Sequence, residues 1–314
     1  MISDAFHAGN ATIAPYDCGD TPFYYTCRQR LIEDIPDIYV ALAAPVLAYW
    51  GLSLVFHYMD TRDWKWLEKH RIHESAEVKS KNLVTRSQVV IAVVFQHLVQ
   101  TLLGLVVLDD ETAFAPTHQA SVNHIASVLA PAVRGLPLES RVHDLAYFVY
   151  WWALPSLQLF GAMVVIDTWQ YFLHRWMHTN KWLYRHFHSW HHRLYVPYAF
   201  GALYNHPVEG LLLDTLGSFA AEIATFMTVR QQIVLYTVAT FKTVDDHCGY
   251  RLPWDPLQMI TANNADYHDI HHQTAGIKAN FAQPFFIHWD TVLGTRMTRS
   301  ELNAKRSRKT AKAE

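Results

Sequence analysis

Six histidines fall within nineteen residues, at His174, His178, His186, His188, His191 and His192, and His268, His271 and His272 follow downstream. Most of them form three boxes, His174-Arg-Trp-Met-His178, His188-Ser-Trp-His191-His192 and His268-Asp-Ile-His271-His272. Histidines three or four residues apart share one helix face, and neutral imidazole is a common ligand for transition metals. The boxes hold too many imidazoles for one ion with open positions, and a reasonable number for two. Chance surface histidines explain a lone His57 or His143, but not three boxes with the same one-turn spacing.

Two more histidines have suggestive settings. His206 follows the second box in Tyr204-Asn205-His206-Pro207, and His247 stands in Asp245-Asp246-His247-Cys248. Alone, each reads as a structural histidine; beside the boxes, each is also a candidate ligand, as is His186. Asp167 lies seven residues before His174, on nearly the same helix face. With Asp245, Asp246, Asp266 and Asp269 it is a candidate to orient ligand imidazoles through their second ring nitrogen. Helix capping or solvation explains any single Asp equally well.

An imidazole-rich site suits zinc, copper, nickel or iron, and the chain lacks the Glu-x-x-His pairs of soluble di-iron bundles. The setting separates iron from zinc. Paired ions beside lipid suggest oxidation of an unactivated C–H bond with O₂, and zinc has no redox chemistry.

The lipid setting comes from the elements that must position the boxes. The chain is 51% hydrophobic and 17% charged, against roughly 25% charged for soluble domains. Uncharged runs at 38–59, 89–108 and 145–166 each reach the length of about 20 residues that crosses a bilayer as a helix. A soluble bundle of buried helices is the lesser alternative. Residues 1–36 have no continuous apolar core, so no cleavable signal is expected and the first span serves as an anchor.

The loop after the first span carries Arg62, Lys65, Lys69, Arg71, Lys79, Lys81 and Arg86, while the next loop has only Arg134 and Arg141. The positive-inside rule then places the first loop and the boxes in the cytosol and the polar head in the lumen. There Cys18 and Cys27 could pair, and Asn10-Ala11-Thr12 is a weak glycosylation pattern. For the third box to join the others, residues 211–244 must cross twice or not at all, which predicts a helical hairpin turning near Arg230. The expected organisation is a lumenal head at 1–37 and three transmembrane helices with their loops at 38–166. A catalytic region follows at 167–296, including the hairpin at about 211–244. A basic cytosolic tail without fixed structure closes the chain at 297–314, near anionic headgroups. The fold class is all-α: a polytopic membrane protein whose cytosolic helical cap holds a histidine-rich dimetal site.

At these residues the chain resembles the fatty acid hydroxylase superfamily, the histidine-box di-iron membrane enzymes. The run from Asp167-Thr-Trp-Gln-Tyr-Phe-Leu to His174 is similar to the first-box entry of sphinganine C4-hydroxylases, especially fungal ones. So are the run from His188 through Arg193-Leu-Tyr-Val-Pro-Tyr to Pro207 and the third-box region from Thr261 to Gln273. Asn280-Phe-Ala-Gln-Pro-Phe-Phe and Trp289-Asp-Thr-Val-Leu-Gly-Thr complete the likeness, which covers about 160–296.

The resemblance implies an endoplasmic reticulum monooxygenase that hydroxylates sphinganine or dihydroceramide at carbon 4. It implies His174, His178, His188, His191, His192, His268, His271 and His272 as ligands of two iron ions, with His206 and His247 added where relatives also carry histidine. Zinc is an alternative occupant of a purified sample. O₂ is the co-substrate, and electrons from NAD(P)H arrive through a reductase and a separate cytochrome b5, since no His-Pro-Gly-Gly haem motif is present. Tyr195, Tyr198, Tyr204 and Asn205 beside the second box are candidates for headgroup contact, and Trp169, Phe219, Phe226 and Phe241 for lining a hydrocarbon channel. A sterol C4-methyl oxidase or lipid desaturase of the same superfamily is the nearest alternative. A metal transporter would need its ligands at mid-membrane, and a haem carrier would leave most histidines unexplained.

Overall fold

A computed structural model describes residues 20–26, 28, 30–62, 64–107 and 118–311. Asn10, Cys18, Cys27 and the acidic start of the second loop lie outside the described residues. Among the described residues every regular element is helical, and the β pairings are two isolated bridges, Ile32 with Ile35 and Arg71 with Tyr250.

Three helical runs are long and apolar enough to cross a membrane. Helix α1 (Asp37–Asp60) starts on an acidic residue, where the helix dipole favours negative charge. Helix α2 (Arg86–Val107) follows. The third run, Glu139–Thr179, ends in helix α4 (Leu154–Thr179), which continues well past the expected end at 166. His174 and His178 therefore ride the last turns of a span-length helix, not a separate short helix.

The chain divides into two compact units. In one, the described residues between 20 and 37 join those between 118 and 157. Here helix α3 (His118–Val133), absent from the sequence expectation, packs Val122 and Ala126 against Ala146. The Tyr25 and Tyr150 hydroxyls flank the two ring nitrogens of His118 at 2.8 and 2.7 Å.

The second unit, residues 38–109 and 158–314, contains all the boxes. The expected hairpin is present as helix α5 (Leu216–Thr225) and helix α6 (Val229–Asp246). Its turn falls at 226–228, where Phe226 takes a left-handed conformation and Thr228 and Gln231 form a capping box. Ala162 and Ile166 of α4 pack with Ala221, Leu235 and Phe285. A second core joins Tyr49, Phe56, Val89 and Val93 of the first two spans to Leu194, Tyr198, Phe200 and Tyr250. The Tyr49 hydroxyl donates to the Phe200 carbonyl at 2.6 Å, tying α1 to the segment after the second box.

The third box occupies helix α7 (Ala265–His272), capped by the Asn264 side chain. Beyond it, the basic tail is not formless: 299–310 forms helix α8 (Arg299–Thr310). A Thr298–Glu301 capping box starts it, and Leu302 anchors it in the core.

Candidate metal centre

The three boxes use three different local structures. Helix α4 presents His174 and His178 on adjacent turns. A π-helical turn, Tyr184–His188, aims His188, and a tight turn at His191–Arg193 aims His191 and His192. π-Turns concentrate at functional sites. Helix α7 supplies His268, His271 and His272.

Nine imidazoles converge in two adjoining groups, His174, His178, His188, His192 and His271 in one, and His191, His247, His268 and His272 in the other. Within each group the donor atoms lie within 4.8 Å of one another. In the first, Nε2 atoms stand 3.0 Å apart for His174 and His188, 2.7 Å for His178 and His188, and 3.1 Å for His178 and His192. In the second, His268 Nε2 is 3.0 Å from that of His247 and 3.1 Å from that of His272.

The opposite ring nitrogen explains this convergence. Nδ1 of His174, His271 and His272 donates to the carbonyls of Phe281, Ala279 and Leu194 at 2.8, 2.7 and 2.7 Å. His191 and His247 donate likewise to Tyr204 and Thr243. His188 is different: its Nδ1 lies 2.5 Å from Glu209 Oε1. With the proton on Nδ1, the Nε2 lone pairs face one another. Burial keeps these rings neutral, holding His191 down at about 4 and His247 and His271 at about 3, with His188 and His268 also well below the usual 6.5.

Buried lone pairs pointed at one another repel unless a cation lies between them. His271 Nε2 has no partner at all among the described residues. Metal–imidazole bonds of about 2.0–2.1 Å set near right angles put two nitrogens about 3 Å apart, the separation seen here. The donor set fits two metal ions.

His206 is not brought into either group. Its Nδ1 accepts from the Val208 N–H at 3.2 Å and caps the short helix Pro207–Gly210, while its ring stacks edge-on with Phe187 and Trp190. His186 also stays outside, with its Nδ1 on the Trp182 carbonyl.

The candidate orienting aspartates do not reach the imidazoles. Asp167 accepts the Phe285 and Phe286 N–H groups at 3.0 and 2.6 Å. Asp246 pairs with Lys242, and Asp245 accepts from Gln258. Asp266 and Asp269 are bound by Arg299, and Asp269 also accepts from His73 Nε2 at 2.7 Å.

Asp167 still matters, because the loop it holds carries the carbonyls that orient two cage histidines, His174 and His271. Asp290 holds the same loop from the other side, accepting the Phe281 and Ala282 N–H groups at 3.1 and 2.6 Å and the Tyr267 hydroxyl at 2.5 Å. Asn280 completes it in a left-handed conformation, with its side chain bridging Tyr267 and Met297. Glu209 and Asp290 were not anticipated as site residues. The available signals were an acid in the apolar stretch after His206-Pro207 and the Trp289-Asp290 pair.

Two cavities adjoin the centre. A small one of about 30 Å³ is walled by His188, His191, His247 and His268 together with Asn205 and Glu209. A larger, mostly apolar one of about 340 Å³ lies among α1, α2, α4 and the hairpin. Gln170, Asp214, Thr243 and Pro284 line both. Phe219 lines the larger cavity; Trp169, Phe226 and Phe241 do not. Of the four candidate headgroup residues, Asn205 lines the small cavity, and the three tyrosines line neither of these two. Tyr198 and Tyr204 are in the core, and the Tyr195 hydroxyl accepts from Arg306 at 3.4 Å.

Fold and site define a helical protein with three membrane-length helices and a double histidine cage suited to metal, opening toward an apolar cavity. The fatty acid hydroxylase family profile matches residues 159–295, and the chain belongs to that family. It is 48% identical over 283 residues to the sphingolipid C4-hydroxylase of Saccharomyces cerevisiae, covering 90% of this chain and 78% of that one. It is 42% identical over 264 residues to sphinganine C4-monooxygenase 1 of Arabidopsis thaliana, covering 84% and 89%. A very-long-chain aldehyde decarbonylase of Oryza sativa subsp. japonica is 43% identical over 258 residues, covering 81% and 86%. No solved structure matches.

Proposed function

We propose that this chain is a sphingolipid C4-hydroxylase, converting sphinganine or dihydroceramide to the 4-hydroxy product, phytosphingosine or phytoceramide. One observation carries the reading: two neutral histidine cages stand beside an apolar cavity bounded by span-length helices. The relatives named for this reaction, matched over most of the chain, supply the substrate class.

His174, His178, His188, His192 and His271 would hold one iron, and His191, His247, His268 and His272 the other. Bound there, iron would supply the O₂-dependent oxidation of a C–H bond that no side chain can perform alone. The protein's own part is placement. The carbonyls of Phe281, Ala279, Leu194, Tyr204 and Thr243 and the Glu209 carboxylate fix the rings, and preorganised ligands avoid reorganisation during reaction. The apolar cavity receives the hydrocarbon chain and excludes water from the reacting carbon. Electrons come from NAD(P)H through a reductase and a separate cytochrome b5. The enzyme resides in the endoplasmic reticulum membrane with the head at 1–37 lumenal and the catalytic region at 167–296 cytosolic.

The test is anaerobic iron loading of the full chain, followed by assay with sphinganine, O₂ and a reduced donor. A base hydroxylated at carbon 4 is expected, and His174→Ala and His271→Ala each abolish its formation. A wild type that acts on a very-long-chain aldehyde and leaves sphinganine unchanged overturns the proposal.

A further inference from the structure

The larger cavity is apolar except for a few side chains, and one of them has no structural use for its charge. Asp214 sits on a π-helical turn, Leu211–Thr215, inserted just before the hairpin. Its Oδ2 accepts one long hydrogen bond, from Gln96 Nε2 at 3.3 Å, and Oδ1 accepts none from the described residues. No described Lys or Arg forms an ion pair with it, whereas the buried Asp246 nearby has Lys242. Gly210 makes even the single contact with Gln96 fit, since a Cβ there would lie 2.7 Å from the Gln96 amide. A half-buried carboxylate facing an apolar cavity without a cation is costly, so its retention calls for a partner that arrives.

Its position says which partner. Asp214 is one of four residues shared by the apolar cavity and the small histidine-walled cavity. The small cavity has room for a water-sized molecule only. The reacting carbon must therefore reach the centre from the shared rim, with the rest of the lipid in the larger cavity. In a long-chain base the amino nitrogen is three bonds from carbon 4. Whatever holds carbon 4 at that rim also holds the amine there. A free base carries an ammonium; a ceramide carries a neutral amide.

Resting on the function proposed above, we infer that Asp214 binds the ammonium of a free long-chain base, making the unacylated amine the preferred substrate form. Gln170 and Thr243, on the same rim, are placed to meet the neighbouring hydroxyls. Glu222 also lines the larger cavity but not the shared rim, so an amine bound there would draw carbon 4 away from the histidines.

Equilibrium binding of radiolabelled ligands to the purified full chain in detergent tests this. With the wild type, sphinganine binds at least tenfold more tightly than N-acetylsphinganine and than the uncharged octadecane-1,3-diol. Asp214→Asn, similar in shape and without charge, removes at least tenfold of the sphinganine affinity while shifting the diol by less than twofold. Equal wild-type binding of charged and uncharged ligands overturns the inference whether or not the variant folds. So does a selective loss in Glu222→Gln with Asp214→Asn unaffected. Product analysis of the same wild-type preparation separates the two readings. A carbon-4 product with no preference for the amine rejects only the role of Asp214; no carbon-4 product from either lipid form rejects the reaction itself.

Discussion

Glu209 gives His188 a partner unlike those of its neighbours. Five other cage rings donate to carbonyls, and among the described residues His188 alone of the cage histidines donates to a carboxylate, which is buried and has no described partner for its second oxygen. A carboxylate raises the basicity of the imidazole it holds, and loss of such a partner typically costs about 10–100-fold in metal affinity. Glu209→Gln is expected to show that loss when metal content is followed by elemental analysis against graded chelator; unchanged retention would assign Glu209 to packing alone. The histidines themselves were legible because one-turn spacing is a local signal. Glu209 and Asp290 were not, because each acts through a fold-back: Glu209 reaches a ring 21 positions away, and Asp290 works through backbone amides. Asp167 shows the limit of periodicity. Its face was read from spacing, but its partners lie 118 and 119 residues downstream, and no helical pattern names them.

Between elements, His73 links the segment after α1 to α7. Its Nδ1 lies 2.6 Å from Glu77 Oε2 and its Nε2 2.7 Å from Asp269 Oδ1. Carboxylates only accept, so both nitrogens carry protons and the ring is an imidazolium. Burial opposes that charge, but the Asp269 and Glu77 carboxylates outweigh it and raise the pKa above the usual 6.5. A proton held more tightly in the folded state stabilises fully below the unfolded value and ceases to do so as pH rises through the folded one. Melting followed in detergent should therefore show His73→Gln destabilised at pH 6, with the gap to wild type narrowing toward pH 9. A gap independent of pH would mean the ring is neutral. Sequence reading located all three span-length helices because their apolar runs are long. It missed α3, whose Ser, Asn, His and Ala residues break any such run. It also left α8 without structure although Thr298-Arg-Ser-Glu301 carries a capping signal, because its charge pattern reads as a solvated tail.

For the molecule as a whole, the proposed function needs one side of the membrane for the electron donor. The charge asymmetry between the loops after the first and second span-length helices predicts the C-terminal helix in the cytosol and the N-terminal head in the lumen. In sealed microsomes, trypsin is expected to remove a C-terminal tag without detergent while leaving an N-terminal tag intact; the reverse pattern would invert the assignment and exclude a cytosolic electron donor.

Helix α4 is long and apolar enough to span a membrane and also carries two cage histidines, His174 and His178. From 166, where its apolar run ends, to His174 is eight residues, about 12 Å of rigid rise. As the proposed span, such a rod would work as a depth gauge: a thinner or thicker bilayer would tilt it, and the tilt would move the oxidation chemistry relative to the lipid it must reach. Turnover in vesicles of graded acyl length should then peak at one thickness, and a flat response would show that the rod yields instead of tilting.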